Sequence, residues 1–176
     1  PKLPSDTELD RLVIKAMESR LDPTLQLRRL YGLVYCETRP VQVYVDGSAL
    51  NNGREDARAG SGVYFGRDSR RNAAVRVPDN QTNNRAEAFS VLRALEACNP
   101  HQMLDVYSDS EYAINSLTTW APGSGAVGWR IPNGDVFGDI AYLLRTRPAG
   151  VTLHKVKAHS GHDANDAADA LAKRGA

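Results

Sequence analysis

The spacing of apolar residues along the chain changes character at Pro40. Before it, Leu9, Leu12, Val13, Ala16 and Met17 recur at helical intervals behind Ser5-Asp6-Thr7-Glu8, which has the form of a capping box, so a helix is predicted over 5–20. Leu25, Leu27 and Leu30 predict a second, shorter helical stretch after Pro23. After Pro40, β-branched and aromatic residues take over. Val41-Gln42-Val43-Tyr44-Val45 reads as a strand closed by the turn formers Asp46-Gly47-Ser48, and Gly62-Val63-Tyr64-Phe65 and Ala73-Ala74-Val75-Arg76-Val77 read as two more, with the polar run 51–59 between the first and second. Three successive strands on short connections predict an antiparallel meander.

Beyond Pro78 the period turns helical, with Ala88, Val91, Leu92 and Leu95 on one stripe that stops before Asn99-Pro100. A strand over Leu104–Ser108, a helix from about Ser110 to Trp120, a Gly- and Pro-rich connection from Ala121 to Asn133, a helix over Gly134–Arg145, a strand over Val151–Lys157 and a helix over Asp163–Lys173 complete the pattern. Strands followed by alternating helix and strand indicate an α/β fold, a mixed sheet flanked by helices. The domain is placed from about residue 40 to 176, with 1–39 as a helical extension or a linker to an upstream domain. There is no internal repeat and no low-complexity tract.

Composition adds limits rather than a function. The length, 176 residues with 41% hydrophobic content, suits one core. Net charge is +1, and from Val41 onward 15 Lys and Arg face 15 Asp and Glu, so any grip on a polyanion has to be local. Cys36 and Cys98 stand far apart and at no metal-ligand spacing, which reads as a reduced, intracellular protein without a disulfide framework, with cytoplasm and nucleus undistinguished. No apolar run has the length of a membrane span or signal-peptide core, so no membrane partner is expected; the Pro1 start reads as a piece of a longer chain.

Chemistry enters through the acidic residues, each of which has a plain alternative. Asp46 fits a turn aspartate, Glu87 the far partner of a capping box begun at Asn84, Asp109 a helix-cap position, and Asp169 a solvated helix charge. Taken together they fit something else. Mg²⁺ prefers hard oxygen ligands, and a two-metal phosphodiesterase needs carboxylates from several elements meeting at one point, which adjacent strand ends of a mixed sheet supply.

Four motifs then appear in order: Tyr44-Val45-Asp46-Gly47-Ser48; Gln81-Thr82-Asn83-Asn84-Arg85-Ala86-Glu87; Tyr107-Ser108-Asp109-Ser110 with Tyr112; and Val156-Lys157-Ala158-His159-Ser160-Gly161-His162 leading to Asn165 and Ala168-Asp169-Ala170-Leu171-Ala172. From Val41 to the end the sequence resembles the type 1 ribonuclease H domain. The resemblance implies an RNase H-like fold, a five-stranded mixed sheet with helices on both faces, two Mg²⁺ ions with Mn²⁺ as a substitute, and cleavage of the RNA strand of an RNA·DNA hybrid to 3′-hydroxyl and 5′-phosphate ends. It makes Asp46 the ligand shared by both ions, completed by Glu87, Asp109 and Asp169, and gives His159 a part in proton movement or product release.

Telling RNA from DNA requires contact with the 2′-hydroxyl, for which amides suit. The resemblance places Asn83 and Asn84 there, with Asn51 or Asn52 adding a contact, Thr82 and Arg85 on the phosphate side, Trp120 beside the DNA channel and Asn165 in the same substrate group. The chain departs from many cellular members in one place: Ala121 to Gly128 holds no basic residue where they carry a Lys- and Arg-rich helix. That gap resembles members embedded in reverse transcriptases and implies an upstream reverse transcriptase domain as partner, within a retroelement polyprotein, with a short stand-alone enzyme as the alternative. The competing readings are another nuclease of the same superfold and a catalytically inactive hybrid-binding module of a larger polymerase; the second expects a lost carboxylate, and all four are present.

Overall fold

A computed structural model describes residues 22–32, 38–157 and 163–176; the helix predicted over 5–20, Cys36 and His159 lie outside them. The chain runs α1 (Pro23–Tyr31), β1 (Val41–Leu50), β2 (Arg58–Tyr64), β3 (Ala73–Arg76), α2 (Asn83–Ala97), β4 (Leu104–Ser108), α3 (Glu111–Leu117), α4 (Ala121–Ala126), α5 (Gly134–Thr146), β5 (Val151–Lys155) and α6 (Asp163–Gly175). The five strands form one sheet in the order β3-β2-β1-β4-β5. The first three pair antiparallel as the predicted meander, and β4 and β5 continue the sheet in parallel with β1.

Alternation along each strand sorts the side chains into two layers. Val43 and Val45 of β1, Val63 of β2, Val106 of β4 and Leu153 of β5 face Ala88, Val91, Leu92 and Leu95 of α2 and Val136, Phe137 and Ile140 of α5, and these make up the main core. On the opposite face, α6 lies across β2, β1 and β3. It comes close because the surfaces in contact are small: Ala168 and Ala172 are fully buried, and a Cβ at Gly62 would fall on the backbone of these two residues.

The first strand is longer than the sequence pattern implied. Asp46-Gly47-Ser48 is not a turn: β2 stays in register past it, with Asp46 opposite Gly62 and Leu50 opposite Arg58, so the reversal falls in the polar run after Leu50. Asp46 is thereby a mid-strand residue. Similarly, the connection after Trp120 contains the short helix α4, and α3 ends at Leu117 rather than at Trp120.

α1 packs on the domain itself. It lies against β5 and α5, Leu27 is 4% exposed within the main core, and the Tyr31 hydroxyl donates to the Leu117 carbonyl at 3.1 Å. Burial pushes the Tyr31 phenol up to about 12. Among the described residues no helix is long and apolar enough to cross a membrane.

Candidate active site

β1 and β4 run side by side only as far as Tyr44 and Tyr107. Beyond that pair the two strands part, at the place where β1 changes from a parallel to an antiparallel neighbour, which is the switch point where α/β sheets bind ligands. Asp46 stands at this opening on one strand and Asp109 follows the other. Glu87 reaches it from α2, whose first turns sit directly on β1: a Cβ at Gly47 would fall on the backbone of Ala86 and Glu87, so only glycine lets the helix settle there. One carboxylate oxygen from each of Asp46, Glu87 and Asp109 lies within 4.8 Å of the other two.

Local capping leaves these acids free for the opening. Thr82 is the N-cap of α2 and accepts from the Arg85 amide, so Glu87 is not the partner of a box begun at Asn84. Ser110 caps α3 by accepting from the Ala113 amide, so Asp109 is not spent as a cap either. Asp169 comes to the same region on α6 but outside the group of three, its carboxylate held by Lys173.

Asp46 and Glu87 are each 6% exposed. Burial first, then the charge of Asp109, holds the Asp46 carboxyl well above the usual range, up to about 7. Burial and the charge of Asp46 drive Glu87 higher, to about 9. Glu87 Oε2 is buried without a hydrogen-bond donor. Asp46 Oδ1 accepts from the Gly47 amide at 2.8 Å. Acidic oxygens so crowded and desolvated, one of them without a donor, fit a hard divalent cation, which would offset the burial and repulsion that raise both groups.

A pH dependence follows. Both folded-state values stand above those of the unfolded chain, near 4, so the native protein binds extra protons and loses stability as pH rises through the two folded values. Metal-free protein is expected to melt higher at about pH 5.5 than at about pH 8, with saturating Mg²⁺ removing most of the difference. Differential scanning calorimetry at both pH values, with and without Mg²⁺, checks this; a flat metal-free profile would count against the crowding.

At the start of α2, one turn before Glu87, a groove of about 910 Å³ is lined by Asn52, Thr82, Asn83, Asn84, Tyr112 and Asn133. The Asn52 side-chain oxygen accepts from the Asn83 amide at 3.3 Å, which ties the β1–β2 loop to the start of α2. Arg54 also lines the groove. The sequence pattern gives no functional signal for Arg54 or Asn133 and places Tyr112 in a motif without a role. Asn133 adopts a left-handed backbone before Gly134 and donates to the Tyr112 hydroxyl at 3.0 Å; Pro132-Asn133-Gly134 carried a turn signal that named no role.

The remaining expected residues are placed differently. Arg85 is 3% exposed, and its guanidinium forms a fork with Asp135 at 2.8 and 2.6 Å while Nε donates to the Pro78 carbonyl, so it joins the starts of α2 and α5 rather than pointing into the groove. Trp120 is 50% exposed, at the start of α4, its ring 6.4 Å from that of Tyr112. Asn165 is buried in the first turns of α6, its side-chain oxygen unpartnered.

The family profile described as RNase H matches residues 38–176. The chain is 42% identical over 150 residues to a ribonuclease H of Schizosaccharomyces pombe, covering 81% of this chain and 55% of that protein. It is 38% identical over 142 residues to ribonuclease H1 of Homo sapiens, covering 77% and 50%. A ribonuclease H of Cupriavidus pinatubonensis is 33% identical over 141 residues, 77% of this chain and 94% of that protein. The chain thus spans about half the length of the two eukaryotic relatives. Among solved structures, LC9-RNase H1, a type 1 RNase H with the type 2 active-site motif, superposes with a TM-score of 0.59 at 26% identity over 78% of this chain and 73% of that one. The foamy viral protease-reverse transcriptase in complex with dsDNA shares the fold, with a TM-score of 0.63 at 19% identity over 78% of this chain and 97% of that one. Sheet order, the carboxylates at the strand opening and these likenesses agree: the chain belongs to the type 1 ribonuclease H family.

Proposed function

We propose that this chain hydrolyses the RNA strand of RNA·DNA hybrids at internal positions, using divalent metal held by Asp46, Glu87, Asp109 and Asp169. The observation that carries the reading is the convergence of three acidic oxygens at the strand opening, within 4.8 Å of one another, with an amide-lined groove at the start of the helix that brings Glu87. Two Mg²⁺ ions, or Mn²⁺ in their place, would supply an activated water on one side of the scissile phosphate and positive charge for the leaving 3′-oxygen on the other.

The chain's own residues do the rest. Asp46 would be the ligand shared by both ions, as the family resemblance implies, and its carboxyl already feels Glu87, Asp109 and Asp169. Asn83, Asn84 and Asn52 line the groove, where they address the 2′-hydroxyls that mark an RNA strand. Thr82 takes the phosphate side, while Arg85, spent on Asp135, fixes the wall instead of touching substrate. His159 has the role of moving a proton or easing product release, and His159→Ala is expected to slow turnover by on the order of 10²-fold while metal binding survives. Loss of Mg²⁺ binding in that variant would make His159 a ligand instead.

Grip on the hybrid comes partly from elsewhere, we further propose, and α4 is the reason. Ala121–Ala126 is a helix without a basic side chain where a Lys- and Arg-rich one would neutralise phosphates. Hybrid affinity of the isolated chain is therefore expected to fall with salt at a slope matching about two to four phosphate contacts. A fluorescence-anisotropy salt series measures it, and a steep slope would remove the need for a partner such as an upstream polymerase domain.

The function itself is tested with a hybrid whose RNA strand is labelled at its 5′ end, next to the same sequence as duplex DNA. Internal RNA fragments ending in 3′-hydroxyl, with the DNA duplex intact, are the expected result. A ladder growing from one end would assign the chain to the exonucleases of this superfold.

A further inference from the structure

Asp169 is the one of the four acids that stands apart, and α6 explains why. Lys173 lies one turn further along the same face of the helix, and its ammonium contacts Asp169 Oδ2 at 2.6 Å. The helix has no freedom to bring Asp169 closer by sliding, because Ala168 and Ala172 on either side are fully buried against Gly62. Only the Asp169 side chain can turn, and what it must leave to do so is Lys173. The ammonium also lies within Coulomb reach of Asp46.

We propose that Lys173 is a positioning residue for the metal centre: it holds Asp169 aside from the Asp46, Glu87 and Asp109 group, and a divalent cation recruits Asp169 only by displacing it. The inference rests on the metal-centre reading above. Lys173 then lowers affinity for the cation that Asp169 helps to bind, keeping that position exchangeable. Because Lys173 is exposed and the two residues stand four apart on one helix, its hold on the half-buried Asp169 is weak and reversible.

The test is Mg²⁺ affinity, read by isothermal calorimetry and by the Mg²⁺ dependence of melting, without substrate. Lys173→Met is expected to bind Mg²⁺ about two- to five-fold more tightly than wild type, the scale of an exposed ion pair, and Lys173→Arg to bind as wild type does. In the Asp169→Asn background, Lys173→Met should bring no more than a small residual gain. An unchanged affinity in Lys173→Met, or an equal gain with and without the Asp169 carboxylate, overturns the proposal, the latter by showing that Lys173 acts on the cations directly. Asp109→Asn separates the two readings. If it abolishes the wild-type Mg²⁺ response, the metal centre stands and only the Lys173 claim is in play; if wild type shows no response to abolish, the metal-centre reading fails and this one with it.

Discussion

Asp109→Asn is expected to reduce hybrid cleavage to below about a hundredth of wild type, a barrier increase of more than about 2.7 kcal/mol, while leaving the fold intact. The substitution keeps the shape of the side chain and removes its charge, so a metal ligand is weakened without a cavity being made. The fold survives because Ser110, not Asp109, caps α3, and because Asp109 is half-exposed at the opening between strands. Removing one of the charges that crowd Asp46 and Glu87 should even raise the melting temperature of the metal-free protein slightly. Circular dichroism, melting and a cleavage assay on the same preparation decide it. More than about a tenth of wild-type activity, a difference of only about 1.4 kcal/mol, would show that the carboxylate is no essential ligand.

Gly62→Ala tests the same site from the other side of the sheet. The added methyl would fall on the backbone of Ala168 and Ala172, neither of which can yield without α6 moving. Overpacking of this kind costs about 3 kcal/mol, and here it also lifts the helix that carries Asp169. The variant should therefore lose cleavage activity at temperatures where it is still folded, and its Mg²⁺ affinity should drop with it. Gly123→Ala is the control: it lies in α4 with open space around it, and alanine there should be neutral or stabilising by about 0.5–1 kcal/mol. Equal melting temperatures for Gly62→Ala and wild type would mean that α6 is not seated as described.

Much of this site could be read from the chain because its acidic residues sit in local motifs. Asp46, Glu87 and Asp109 were legible from Tyr44-Val45-Asp46-Gly47, Asn84-Arg85-Ala86-Glu87 and Ser108-Asp109-Ser110, and the meander followed from alternation around Pro40 and Pro78. What failed depended on contacts far apart in sequence. Asp46-Gly47-Ser48 looks like a turn, and only the pairing with residues 60–62 of β2 keeps it a strand. Arg85 looks like a phosphate ligand until Asp135, fifty residues on, takes its guanidinium. Leu25, Leu27 and Leu30 predicted a helix correctly, yet nothing in their spacing says that α1 seals β5 and α5 of its own domain. Lys173 was the opposite case: its i, i+4 spacing from Asp169 was visible in the sequence, but its meaning depends on where α6 places the pair.

The most direct measurement is cleavage of one labelled RNA·DNA hybrid by purified chain in Mg²⁺, in excess chelator, and in Mg²⁺ restored after chelation. A centre built from Asp46, Glu87, Asp109 and Asp169 predicts internal cuts in the RNA strand with Mg²⁺, none with chelator, and full recovery on restoring the ion. Cleavage that persists in chelator, or a hybrid left whole at every Mg²⁺ concentration by folded protein, would contradict it.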